Sequence, residues 1–335
     1  MIGAGAVGGT VGGRLAQAGR DVVLTARGEH LERLAAHGLR LRLPDGELTH
    51  RVTAVPGPGP LGTLTGRDVL LLTVKVQDTA SALDSWSGVP VRGGGTAAER
   101  LPLVCLQNGV EGARLALRRF RHVYAGCVWL PSSFLLPGVV TAYGSPLSGV
   151  LHLGRYPRGA DDTARRIALD LKAARLDVSV VPDVDRWRYA KLLSNLSNAV
   201  EAVSGPVDDD EARSLCARLR AEGEAVLAAA GIAHASVQEE RAARHGKAVP
   251  VPVDGVSRSG GSSWQSLVRG RGSVEADHLN GEIALLGRLH GVPAPLNELL
   301  QRLANDHARQ RLPAGSVPLA ELLALAARAE EAART

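Results

Sequence analysis

Lysine is scarce in this arginine-rich chain. Among 39 basic residues, only Lys75, Lys172, Lys191 and Lys247 are lysines. Where arginine supplies generic charge, a retained lysine points to a task a guanidinium cannot do, such as giving up a proton. Lys191 lies in Trp187-Arg188-Tyr189-Ala190-Lys191-Leu192-Leu193-Ser194-Asn195-Leu196-Ser197-Asn198, where periodicity predicts a helix over 187–203. On that helix Lys191, Asn195 and Asn198 stand at i, i+4 and i+7 and share a face. Asparagine is a poor helix-interior residue because its side chain competes for backbone hydrogen bonds. Two of them beside a lysine predict a polar binding surface. The competing reading is a solvated stripe, with Leu192, Leu193 and Leu196 packed behind it.

The second chemical signal is Gly3-Ala4-Gly5-Ala6-Val7-Gly8, a G-x-G-x-x-G turn. Gly3 permits a tight turn off a strand, Gly5 lets a pyrophosphate approach the backbone, and Gly8 lets the following helix pack close to the sheet. The helix N-terminus then offers free amides and partial positive charge to phosphates. The context fits. Val7, Val11, Leu15 and Ala18 repeat at helical spacing, Gly19 is a C-cap candidate, and Asp21–Thr25 reads as a second strand. That strand ends Thr25-Ala26-Arg27. No carboxylate precedes Arg27 at the position that holds a ribose 2′-hydroxyl in NAD enzymes, and Glu29 lies two residues on; Arg27 favours NADP(H). Only Met1 and Ile2 precede Gly3, where a parallel strand usually takes about five residues, so a weakened first strand and a looser turn are expected.

The elements that position these residues follow an α/β pattern. Val69–Val74 and Leu101–Leu106 are nearly continuous apolar runs, as expected of parallel strands buried on both faces. Lys75 follows the first and Gln107-Asn108-Gly109 the second, which places both on the ligand-binding rim of an open sheet. Val123–Leu130, Val139–Tyr143, Val150–Leu153 and Asp177–Val181 read as further strands, and Ser87–Glu99, with Gly93-Gly94-Gly95, as a flexible loop. From Asp185 onward amphipathic helices dominate, at 187–203, 210–230, 274–290 and 297–310. The expected architecture is an N-terminal Rossmann-like parallel-sheet domain, residues 1–183, followed by an all-helical domain, 184–325, and a tail, 326–335, read as a fraying helix. Residues 233–262 are polar and Pro/Gly-rich and read as a loop region. Ser263 falls at its end. Ser273 is a cap candidate for a helix starting at Val274, with Glu275 in its first turn.

Composition excludes several classes. No run of 18 apolar residues predicts a membrane span, and no leader is read ahead of the glycine turn. Cys105, Cys127 and Cys216 are unpaired in number and sit in largely apolar contexts, as in a reducing cytoplasm. The histidines form no metal-ligand spacing, so no metal is expected. A net charge of +5 with 3% aromatic residues suits small anionic ligands better than nucleic acid. Oligomeric state, a homodimer among the options, is carried by no motif.

Taken together these residues resemble the ketopantoate reductase (2-dehydropantoate 2-reductase) family. The likeness rests on the glycine turn, Arg27, Lys75-Val76-Gln77, Gln107-Asn108-Gly109, Lys191 with its asparagines, and Ser263 with Glu275. It extends through Glu275-Ala276-Asp277-His278-Leu279-Asn280-Gly281-Glu282-Ile283 to His290-Gly291-Val292-Pro293-Ala294-Pro295. The resemblance implies NADPH-dependent reduction of ketopantoate to pantoate, in pantothenate synthesis. It implies Lys191 as general acid and oxyanion stabiliser, Asn108 between nicotinamide and substrate, and Lys75 near both. Asn195, Asn198 and Ser263 would contact substrate, Glu275 the substrate hydroxyl or Lys191, and Arg27 the 2′-phosphate. The chain departs from the pattern in three places. Ala199 stands where the family usually has its second asparagine, one residue past Asn198. The interval from Lys75 to Asn108 is lengthened around the triple glycine, and Trp264 adds bulk beside Ser263. Three other readings fit the same residues: a reductase of another small 2-oxo acid, an NADP-binding protein without turnover, and, from the glycine turn alone, a flavoprotein.

Overall fold

Leu70–Leu72, Pro102–Cys105 and His122–Trp129 pair in parallel, and their apolar runs are buried on both faces. Gly149–Arg155 joins antiparallel to the last of them and carries Leu176–Val180 in parallel at the edge. On the other side Ile2 bridges Leu72 in parallel. Ile2 N donates to Leu71 O at 2.7 Å and Ile2 O accepts from Thr73 N at 2.9 Å. Met1 nitrogen donates to Val23 O at 2.7 Å, and Thr25 N donates to Met1 O at 2.9 Å. Val23–Thr25 then pairs with Thr53–Val55 in parallel. Two residues thus splice both halves of the sheet. The strand expected to be weak is hydrogen-bonded on both sides, with Ile2 3% exposed. Strand order reverses at Met1-Ile2, the switch point where open α/β sheets bind ligands.

The computed structural model describes residues 1–258, 260–270 and 272–334. The chain forms two compact units, Met1–Arg188 with Ser236–Arg258, and Tyr189–Ala235 with Ser259–Thr335. No helix among the described residues is long and apolar enough to cross a membrane.

The first unit holds a second sheet that the sequence reading did not anticipate, ordered Gly46–His50, Leu39–Leu43, Val139–Ala142, Ser132–Leu136. Helix Ala6–Gln17 packs between the two sheets through two glycine pairs. A Cβ at Gly12 would lie 2.7 Å from Leu24 Cδ2, and one at Gly8 would overlap the Gly3 carbonyl oxygen. On the other side a Cβ at Gly9 would lie 2.6 Å from Val140 Cγ2, and one at Gly13 3.1 Å from Leu39 and Leu41. Spacing of four puts each pair on one helix face.

Two loop expectations change. The triple glycine is a hydrogen-bonded turn, with Val91 N to Gly95 O at 3.0 Å and the Arg100 guanidinium donating to Gly94 O at 2.9 Å. Residues 233–262 contain helix Val237–Arg244 and strand Ala248–Pro250, which pairs antiparallel with Gly144–Pro146. The first unit therefore takes back residues 236–258 and extends to Arg188 rather than ending at 183. The return is held by Arg186–Glu239 and Lys247–Asp177 ion pairs, each at 2.8 Å.

Among the described residues, the regular elements of the second unit are all helices. The helix expected over 187–203 is two, Asp185–Asn195 and Asn198–Ser204, broken at Leu196-Ser197. Asp210–Ala229, Ser262–Val268, Asn280–His290, Pro295–Gln310 and Leu319–Ala332 follow. The helix expected from Val274 begins at Asn280, after one 3-10 turn, Ala276–His278, so Ser273 does not cap it. The last helix runs through the expected tail, with Ala326 buried. Close packing explains Gly223, where a Cβ would lie 2.6 Å from Leu193 Cδ2.

Candidate active site

The glycine turn is built at the switch point. Gly3 has φ +104°, and a Cβ there would lie 2.8 Å from Val74 Cγ1, so only glycine fits. Gly3 N donates to Thr25 Oγ1 at 2.9 Å, and Thr73 Oγ1 donates to Gly3 O at 2.6 Å. Gly3 and Gly8 are closed in by packing, whereas a Cβ at Gly5 would meet nothing within 4 Å. The Ala6–Gln17 helix has Gly5 as N-cap, no side-chain cap and no acidic residue in its first turn. Its first amides, those of Ala6, Val7 and Gly8, have no intrahelical acceptor. An uncapped N-terminus with an open face at Gly5 fits a phosphate group.

Arg27 is exposed at the end of Val23–Thr25 and is the N-cap of helix Gly28–His37. Glu29 faces Arg33 at 3.4 Å. A cation, with no carboxylate paired to it among the described residues, thus stands where the strand ends.

Lys75 and Asn108 both fall on the same sheet rim. Lys75 is half-buried and is the N-cap of the 3-10 turn Val76–Asp78. Gln107 ties the two loops together: its Nε2 donates to Val74 O at 2.9 Å and to Thr79 Oγ1 at 2.7 Å. Asn108 follows, half-buried, and Gly109 turns the chain with φ +71°. Arg188 holds that turn from the other side, donating to Val110 O at 2.8 Å and Gly109 O at 3.3 Å. Its guanidinium is buried, pairs with Asp185 at 2.5 Å and lies 5.7 Å from the Tyr156 ring centroid. Sequence reasoning missed Gln107 and Arg188 as supports. Their partners are backbone carbonyls, which no residue pattern announces. Cys105, just before this turn, is no nucleophile, because burial pushes its thiol up to about 12.

In the second unit Lys191 and Asn195 share helix Asp185–Asn195, and Lys191 is half-buried. Asn195 Nδ2 is buried and makes no hydrogen bond among the described residues, a donor suited to a ligand oxygen. Asn198 opens the next helix rather than continuing the first. That helix packs on Ser262–Val268, which carries buried Ser263. Gly261 makes the approach possible: its N donates to Glu201 Oε2 at 2.6 Å, and a Cβ there would lie 3.1 Å from Asn198 Oδ1. The first turns bearing Asn198 and Ser263 are thus brought together. Trp264 lies over Gly260, where a Cβ would come within 2.5 Å of its ring. Glu275 is buried at the N-cap position of the 3-10 turn and makes no side-chain capping bond to it.

A buried polar chain supports the helix break. Asn280 Nδ2 donates to Leu196 O at 3.1 Å and to Asn297 Oδ1 at 3.0 Å. Asn297 Nδ2 donates to Leu219 O at 3.1 Å and Glu222 Oε2 at 2.9 Å. Burial raises the Glu222 carboxyl, and hydrogen bonds from Leu296 and Asn297 oppose the shift. The carbonyl left unpaired between the Lys191 helix and the Asn198 helix therefore has a fixed partner.

Comparison with known proteins places the chain. Residues 1–158 match the ketopantoate reductase PanE/ApbA family model, and residues 183–308 match its C-terminal counterpart. The 2-dehydropantoate 2-reductase of Pyrococcus horikoshii is 28% identical, over 94% of this chain and 98% of its own. That of Mesorhizobium japonicum is 29% identical, over 93% and 98%. The crystal structure of a PanE/ApbA family ketopantoate reductase from Ralstonia eutropha JMP134 superposes with TM-score 0.75 at 28% identity, covering 92% of this chain and 98% of its own. D-mandelate dehydrogenase shares the fold at TM-score 0.78 and 20% identity, covering 92% and 98%. The chain belongs to the ketopantoate reductase family of oxidoreductases.

Proposed function

We propose that this chain reduces 2-dehydropantoate to pantoate with NADPH, within pantothenate biosynthesis. The observation that carries the cofactor half is the glycine turn, packed shut at Gly3 and Gly8 and open only at Gly5. The substrate half rests on family membership and on relatives named 2-dehydropantoate 2-reductases.

In this reading Gly3 to Gly8 hold the pyrophosphate with backbone amides, and Arg27 binds the 2′-phosphate in preference to NADH's bare ribose. NADPH, when bound, supplies the hydride. Lys75 and Asn108 hold the nicotinamide end. The Lys191 ammonium hydrogen-bonds the ketone oxygen, stabilises charge as it develops and gives it a proton. The Asn195 amide donates to substrate, Asn198 and Ser263 bind its carboxylate end, and Glu275 accepts from its hydroxyl or orients Lys191. A second reading, the same chemistry on a different small 2-oxo acid, is favoured by Trp264 beside Ser263. The test is NADPH consumption by purified protein offered ketopantoate and a panel of 2-oxo acids. Fastest turnover per KM with ketopantoate is expected. A different preferred acid moves the assignment to the second reading, and no turnover with any acid refutes both.

A further inference from the structure

We infer that His30 is a positioning residue that sets the glycine turn for dinucleotide binding; the inference rests on the cofactor reading above. His30 lies on helix Gly28–His37, three residues past Arg27. Gly138 N donates to its Nδ1 at 2.9 Å, so the ring carries its proton on Nε2. That Nε2–H donates to Ala4 O at 2.8 Å. The ring also packs 4.4 Å from the Phe134 centroid. One imidazole therefore joins the glycine turn, the helix capped by Arg27, and the turn before strand Val139–Ala142.

The Ala4 carbonyl is one end of the Ala4–Gly5 peptide plane. In a trans peptide the C=O and N–H point in opposite directions. Holding Ala4 O on the His30 side fixes the Gly5 N–H on the other, and Gly5 is the residue whose face is open. The same imidazole ties the pyrophosphate turn to the helix that presents Arg27. It therefore sets the spacing between the two anion-binding points of an NADP molecule. An unheld peptide plane flips between orientations, and only one of them presents the amide to a phosphate.

Two substitutions separate this role from general packing. His30→Asn keeps an acceptor near the Nδ1 position and loses the donor to Ala4. His30→Gln keeps a donor near the Nε2 position and restores the bond to Ala4. The readouts are NADPH dissociation constant by fluorescence titration and thermal melting. H30N is expected to bind NADPH about tenfold or more weakly, and H30Q to stay within about threefold of wild type, with the melting temperatures of the two variants close together. Equal binding by H30N and wild type overturns the inference, as does H30Q binding as weakly as H30N. Wild type that fails to bind NADPH at all overturns the cofactor reading and this inference with it.

Discussion

One methyl group placed at each of two glycines separates folding from cofactor binding. At Gly5 the backbone has φ −71° and ψ −159°, open to any residue, and a Cβ meets nothing within 4 Å. Gly5→Ala removes freedom from the unfolded chain, worth about 0.4–1 kcal/mol. It also replaces glycine by a poorer N-cap, which costs about the same. The terms cancel, and the melting temperature is expected to stay within about 2 °C of wild type. The methyl, however, blocks close approach of a pyrophosphate. Losing one hydrogen bond to a charged group costs about 1.5–3 kcal/mol, so the NADPH dissociation constant is expected to rise about 10- to 100-fold. At Gly8 the same methyl overlaps the Gly3 carbonyl oxygen and lies 2.5 Å from Thr73 Oγ1. Backbone must move, at a cost of about 3 kcal/mol or more, and Gly8→Ala is expected to lower the melting temperature outright. Thermal melting and NADPH fluorescence titration on both variants provide the assay. Gly5→Ala that binds NADPH as wild type does, or that unfolds as Gly8→Ala does, refutes the reasoning.

Lys191→Ala is expected to lower kcat by about 10²- to 10⁴-fold, with the NADPH dissociation constant unchanged; steady-state kinetics that show wild-type kcat remove Lys191 as the acid. Arg27→Ala is expected to weaken NADPH binding about tenfold and to leave NADH binding unchanged, by parallel titrations; equal losses for both cofactors disprove the 2′-phosphate contact. Burial lowers His152 to about 4 from 6.5, with Asp177 opposing, beneath the Trp187 ring stacked at 3.8 Å. Its folded value lies below its unfolded one, so protons favour the unfolded chain as pH falls. Stability is expected to drop by about 3 kcal/mol between pH 6.5 and 4 and to level off below. Denaturant titrations of His152→Phe across that range should lose this slope, and a variant that keeps it assigns the effect elsewhere.

The parallel strands were legible because an unbroken apolar run such as Val69–Val74 has few alternatives in an α/β chain. The second sheet was legible in principle. Leu39-Arg40-Leu41-Arg42-Leu43 alternates, and the two-residue loop Pro44-Asp45 before Gly46 is turn chemistry. Gly9 and Gly13, which admit that sheet, look in sequence like more of the same glycine-rich helix. The return of residues 236–258 was hidden, since Ala248–Pro250 is a three-residue strand whose partner, Gly144–Pro146, is distant in sequence. The helix break at Leu196-Ser197 and the late start at Asn280 meet in one hydrogen bond, from the Asn280 amide to the Leu196 carbonyl. Lys75, Asn108 and Lys191, to which the proposed function gives roles, stand out in sequence by type and place. Those that act through backbone carbonyls do not. His30, Gln107 and Arg188 each grip a peptide group that only the folded chain brings within reach, and nothing around Arg188 separates it from the other arginines.

The most direct measurement is the fate of a label. With NADPH deuterated at both C4 positions and ketopantoate as substrate, mass spectrometry of the product is expected to show pantoate heavier by one deuterium at C2, in wild type and far more slowly in Lys191→Ala. Pantoate without label, or no pantoate from protein that binds NADPH, contradicts the account.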